Sequence, residues 1–225
     1  MPLRLSVSKT ILVLSVLISG WQASAQKFLD YQTLSTAQGL SQGMVFDLLQ
    51  DQEGFIWAAT KNGLNRYDGY SFKVFSNDPY NAHSLSSNTV VKLFEDSKGR
   101  IWVGTEDAGL NIYDKNSGKF YRVVHQASEP ASLSGNAIRS IEELPDGRIL
   151  VAADGAGLNV IQLPDGFFDK ELTPVITRLT LPGDAQVYGM GKDNIGRMWI
   201  GGMDKSVYQY DPLRNSFARL KACAP

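Results

Sequence analysis

One pattern recurs four times along these 225 residues and narrows the folds open to the chain. Its first copy, Asp51 to Asp68, reads Asp-Gln-Glu-Gly-Phe-Ile-Trp-Ala-Ala-Thr-Lys-Asn-Gly-Leu-Asn-Arg-Tyr-Asp. A glycine shortly after an aspartate supplies the positive-φ residue of a tight turn, so each copy reads as strand, turn, strand. The turn glycines Gly54, Gly99, Gly147 and Gly196 stand 45, 48 and 49 residues apart, and the slot Trp57, Trp102, Leu150 and Trp199 keeps the same intervals. The run Phe55 to Ala59 is apolar at every position, as a strand buried on both faces must be. A large residue at its centre, three times Trp, then fills the space between neighbouring sheets.

Further apolar stretches lie before each turn, Met44–Leu49 in the first copy, and after each copy, Ser71–Phe75 in the first. Four strands per unit at a fixed period point to a β-propeller or a similar repeat array. The expected fold is all-β, with four blades of four antiparallel strands each. The blades are expected at residues 37–80, 81–128, 129–182 and 183–225. Residues 26–36, with Phe28–Leu34 at their centre, read as the outer strand of a closing blade. The other three strands of that blade are not found before Pro225, so the array is expected to be an incomplete, open propeller.

Residues 1–25 read as a secretory signal peptide. Arg4 and Lys9 precede an apolar run from Ile11 to Ile18, and Ala23-Ser24-Ala25 gives the small-x-small cleavage pattern. Cleavage near Ala25 would place the mature chain in the periplasm or outside the cell. The single cysteine, Cys223, allows no intrachain disulfide, so packing alone holds the fold. A net charge of -1 argues against a nucleic-acid partner, which asks for a basic excess. Two histidines, His83 and His125, leave little for a histidine metal site, and no metal or cofactor is expected.

Comparing the copies turns most of the chemistry in the pattern into architecture. Asp51, Asp96 and Asp193 read as caps of their own turns. Asn65, Asn111 and Asn159 read as structural hydrogen bonders. A sialidase-type Asp box has a shorter Asp-to-Gly spacing, and a glycosidase needs two carboxylates facing one site, which nothing singles out. No catalytic residue is expected. The positions that differ between copies are the loops joining second and third strands, and they are the candidate ligand contacts: Lys61, Asn62, Glu106, Asp107, Asp154 and Asp204.

The strings Ile-Trp-Val-Gly-Thr and Gly-Leu-Asn-Ile-Tyr-Asp within 101–114 carry a family resemblance. Over residues 28–220 the chain resembles the two-component regulator propeller repeat, the exported sensor region of bacterial hybrid histidine kinases. The third copy departs from that pattern with Leu144 and Leu150, and the fourth has Ser206-Val207-Tyr208 in place of Gly-Leu-Asn. The resemblance implies a non-catalytic sensor segment, with oligosaccharide or another small extracellular molecule as ligand and a homodimer through the propeller as a further partner. Relatives continue into a β-sandwich, a membrane helix and a kinase. None of these is read here, so the chain is expected to be a segment of such a receptor. The alternatives are a free-standing secreted scaffold for protein contacts and, more remotely, a propeller glycoside hydrolase.

Overall fold

The computed structural model describes residues 33–184 and 186–220. The stretch read as a signal peptide lies outside them, and so does nearly all of the strand read over 28–34. From residue 33 the chain carries no strand until Val45; instead Ser35 caps a 3-10 turn at Thr36–Gln38.

Among the described residues, sixteen strands form four separate antiparallel sheets, each built from four consecutive strands, as the repeats predict. The first holds β1 (Val45–Gln50), β2 (Ile56–Thr60), β3 (Gly63–Tyr67) and β4 (Phe72–Phe75). The second holds β5 (Val90–Glu95), β6 (Ile101–Thr105), β7 (Leu110–Asp114) and β8 (Lys119–Val123). In the third, β9 (Ile138–Glu143), β10 (Ile149–Ala153) and β11 (Gly157–Gln162) are followed by a short helix α1 (Phe167–Lys170) before β12 (Val175–Leu179). The fourth comprises β13 (Val187–Lys192), β14 (Met198–Gly202), β15 (Val207–Asp211) and β16 (Ser216–Arg219). The first strands β1, β5, β9 and β13 pack on one another in turn, and each of the last three also meets the second strand of the sheet before it.

The core is therefore three layers between sheets. Trp57, Ala59 and Leu64 of the first sheet meet Leu93, Ile101, Val103 and Tyr113 of the second. Trp102, Leu110 and Ile112 meet Ile138, Ile141 and Val151 of the third. Leu150, Leu158 and Val160 meet Val187, Ile200 and Tyr208 of the fourth. Every residue of β6 and β10 is buried, which is why those strands carry no alternation. Trp57, Trp102 and Leu150 are fully buried in these layers, whereas Trp199 is half-buried.

Two backbone features depend on glycine. The turn glycines Gly54, Gly99, Gly147 and Gly196 sit at φ 91, 74, 82 and 82°, a region that L side chains rarely enter. At Gly104 a Cβ would stand 2.6 Å from Cγ2 of Ile138, so glycine lets β9 pack directly on the second sheet.

Glu142 on β9 sits between β5 and β13, and its carboxyl is raised above 4.5 by burial, which the charges of Lys192 and Lys92 only partly offset. A raised value in the fold means that ionisation costs stability, and the cost appears as pH rises above 4.5. Glu142→Gln is therefore expected to melt at a higher temperature than the parent at pH 7. The gap should close as pH falls below 4.5; a constant gap across that range would refute the assignment.

Candidate functional site

The repeated hairpin is a hydrogen-bonded unit. Asp51 Oδ1 accepts from the backbone N–H of Glu53 (3.1 Å) and Phe55 (3.0 Å), while Oδ2 accepts from the Trp57 indole N–H at 2.8 Å. Asp96 repeats this with Lys98, Arg100 and, at 2.7 Å, the Trp102 indole. Asp193 repeats it with Ile195, Arg197 and, at 2.9 Å, Trp199. Burial alone would raise the Asp51 carboxyl, but the Trp57 N–H and the ammonium of Lys115 outweigh it and hold it below 3.8. A carboxylate held ionised by three or more donors is a poor general acid.

The third sheet has Leu144 where the others have Asp and Leu150 where they have Trp, so both ends of the bond are missing together. The turn survives: Leu144 N–H still donates to Arg148 O at 2.7 Å, and Asp146 takes over the Arg148 side chain at 2.8 Å.

The asparagines are latches. Asn65, Asn111 and Asn159 accept from the backbone N–H of Ser41, Ser86 and Ser134 at 2.9, 2.9 and 2.8 Å, and each donates back to the same serine's hydroxyl. The loop entering each of these sheets is thus tied to its third strand. Arg122 and Arg178 add a second tie, donating to the carbonyls of Ser84 and Leu85 and of Ser132 and Leu133. Sheets are also clasped to each other. Glu95 accepts from Gln52 N–H at 2.8 Å and Glu143 from Ser97 N–H at 2.9 Å. Lys115 lies 3.1, 3.2 and 3.0 Å from carboxylate oxygens of Asp51, Glu53 and Glu95.

A cleft of about 450 Å³ lies at the start of β1, β5 and β9, a usual size for a small-molecule site. Of the six loop positions singled out by sequence, Glu106 and Asp154 line it; Lys61, Asn62, Asp107 and Asp204 do not. Lys61, Asn62 and Asp107 are exposed on their loops, and Asp204 is held by Ser206. Residues the sequence did not single out complete the wall. Asp47 and Lys92 form an ion pair at 2.8 Å, and Arg139 pairs with Asp154. A second cleft of about 480 Å³ lies between Glu53, Arg100, Lys115 and the α1 segment, and its cations too are paired, Arg100 with Asp96 and Lys115 with Glu95. Among the described residues no group of three His, Cys, Asp or Glu side chains is placed to hold a metal ion, and no helix is long and apolar enough to cross a membrane.

Four-stranded sheets stacked through their inner strands define a β-propeller segment, and two of its units can be placed further. The sequence profile of the two component regulator propeller matches residues 39–62 and 84–107, within the first and second repeats. Over 76 residues it is 33% identical to histidine kinase P4 of Formosa agariphila, a stretch that is 34% of this chain and 6% of the kinase. Among solved structures it resembles the extracellular domain of the hybrid two component system BT4673 from B. thetaiotaomicron, with a TM-score of 0.66 and 20% identity over 84% of this chain and 27% of that one. The extracellular domain of the hybrid two component system BT3049 from the same organism gives 0.52 and 22%, over 83% of this chain and 31% of that one. The chain thus spans less than a third of either solved domain, and at these identities the likeness is one of fold.

Proposed function

We propose that this chain is an extracytoplasmic sensing segment of a two-component receptor, exported through its N-terminal leader and without catalytic activity of its own. It takes a small ligand, with an oligosaccharide as the first candidate, in the cleft at the start of β1, β5 and β9. Signal would pass to a kinase module outside these residues. The observation that carries this is a contrast within the repeats. The hairpin carboxylates and latching asparagines that recur are used up in internal bonds, whereas the side chains facing the cleft differ from sheet to sheet.

A ligand that binds only the folded chain raises its melting temperature by mass action. A panel of neutral and acidic oligosaccharides, short peptides and amino acids is expected to contain at least one molecule that does so. Fusion of residues 1–40 to alkaline phosphatase is expected to give activity outside the cytoplasm. A panel without a single shift would count against the sensing role, and an inactive fusion against export.

A further inference from the structure

Each first strand breaks register with the second strand at one place, which leaves Phe46, Val91, Arg139 and Tyr188 bulged out of the ladder. The residue before the bulge and the residue two after it face the preceding sheet. In the second, third and fourth sheets these are Val90 and Leu93, Ile138 and Ile141, and Val187 and Met190, all packed into the layer against the sheet before. In the first sheet they are Val45 and Leu48, equally apolar yet 38% and 64% exposed. The other end of the array shows the converse. Trp57 and Leu64, Trp102 and Leu110, and Leu150 and Leu158 face the following sheet and are fully buried. At those positions the fourth sheet has Trp199, half-buried, and Val207, 40% exposed. Two halves of one more layer thus lie on the two free faces.

We propose that a second copy of this chain covers these faces, the first sheet of one copy packing on the fourth sheet of the other. The halves match in detail. Ile138 sits over Gly104 so closely that a Cβ there would meet its Cγ2 at 2.6 Å. Gly201 holds the same place in the fourth sheet, where a Cβ would meet nothing closer than 3.8 Å. The counterpart of Ile138 on the first sheet is Val45, a branched side chain of the kind that slot takes. The clasps of Gln52 N–H to Glu95 and Ser97 N–H to Glu143 also have counterparts on the free faces, in Asn194 N–H and the side-chain oxygen of Gln50. None of Val45, Leu48, Gln50, Trp199, Gly201 and Val207 is charged, so the contact strips no ion among them of water. Because the two faces differ, the contact is heterologous, and it closes a ring when both copies use both faces. Two copies of four sheets make eight, the upper end of the roughly four to eight blades of common propellers, so assembly stops at two. This inference is independent of what the cleft binds.

Sedimentation equilibrium of the full chain over a range of concentrations tests this, with Leu48→Glu on the first sheet and Val207→Glu on the fourth. Both positions are exposed, so the variants should keep the parent's circular dichroism. The parent is expected to reach the mass of two chains. Each variant should weaken association about tenfold or more, since a carboxylate would be buried there without a partner. Neither variant can pair with itself, because every copy has lost the same face. Mixed together they should form a two-chain species, each supplying the face that the other lacks. A parent that stays a single chain at every concentration overturns the proposal, whether the faces stay bare or something else covers them. So do association that survives both variants, a loss that mixing does not restore, and masses beyond two chains.

Discussion

Trp102→Ala is expected to lower the stability of the fold by about 3–5 kcal/mol, a large fraction of the roughly 5–15 kcal/mol typical of a domain. The indole is fully buried between the second and third sheets, against Leu110, Ile112, Ile138 and Val151. A buried Trp removes about 150–250 Å² from water, which at about 25 cal/mol/Å² gives roughly 4–6 kcal/mol as an upper bound. Its loss also removes one of the four donors to Asp96, whose Oδ2 accepts the indole N–H at 2.7 Å. Urea unfolding followed by far-UV circular dichroism reads the effect as a lower midpoint. Trp199→Ala, at the same position in the fourth sheet but only half-buried, should shift it less. Equal shifts, or an unmoved midpoint for Trp102→Ala, would show that the slot does not hold the layers together.

Why the sheets could be read from sequence and the cleft could not comes down to what each depends on. Strands and turns rest on local signals: a positive-φ glycine such as Gly99, and a run such as Ile101 to Thr105 that is buried throughout. Repetition then amplified those signals, because four copies separate what packing demands from what varies. The bulges at Phe46, Val91, Arg139 and Tyr188 leave no local mark; they are a mismatch of residue counts between two strands. Nothing in the residue types at those positions sets them apart from ordinary members of a strand. The loop positions were legible as variable, but only Glu106 and Asp154 reach the cleft, because reach depends on how neighbouring sheets pack. The clasps Glu95 to Gln52 and Glu143 to Ser97 span 43 and 46 residues and were invisible for the same reason.

The paired loss of Asp and Trp in the third sheet makes a stronger prediction than either residue alone. Asp96 is fully buried and accepts from Lys98 N–H, Arg100 N–H, the Arg100 Nε–H and the Trp102 indole. Asp96→Leu leaves the indole N–H and the guanidinium without their acceptor, which costs about 3–5 kcal/mol when a buried pair loses one partner. Once Trp102 is also Leu, one of those stranded donors no longer exists. The double variant should therefore be more stable than the sum of the singles implies, by about 0.5–3 kcal/mol. The third sheet shows what else is needed. There Asp146, two residues after Leu144, accepts from both the backbone and the side chain of Arg148. The matching residue in the second sheet is Lys98, which offers no acceptor. Adding Lys98→Asp to the double variant should recover further stability by giving Arg100 a carboxylate again. Strict additivity of Asp96→Leu and Trp102→Leu would mean that the two positions changed independently in the third sheet. Coupling of the expected sign would mean that the hairpin changes as a unit, with the hydrogen bond between its turn and its tryptophan as the reason.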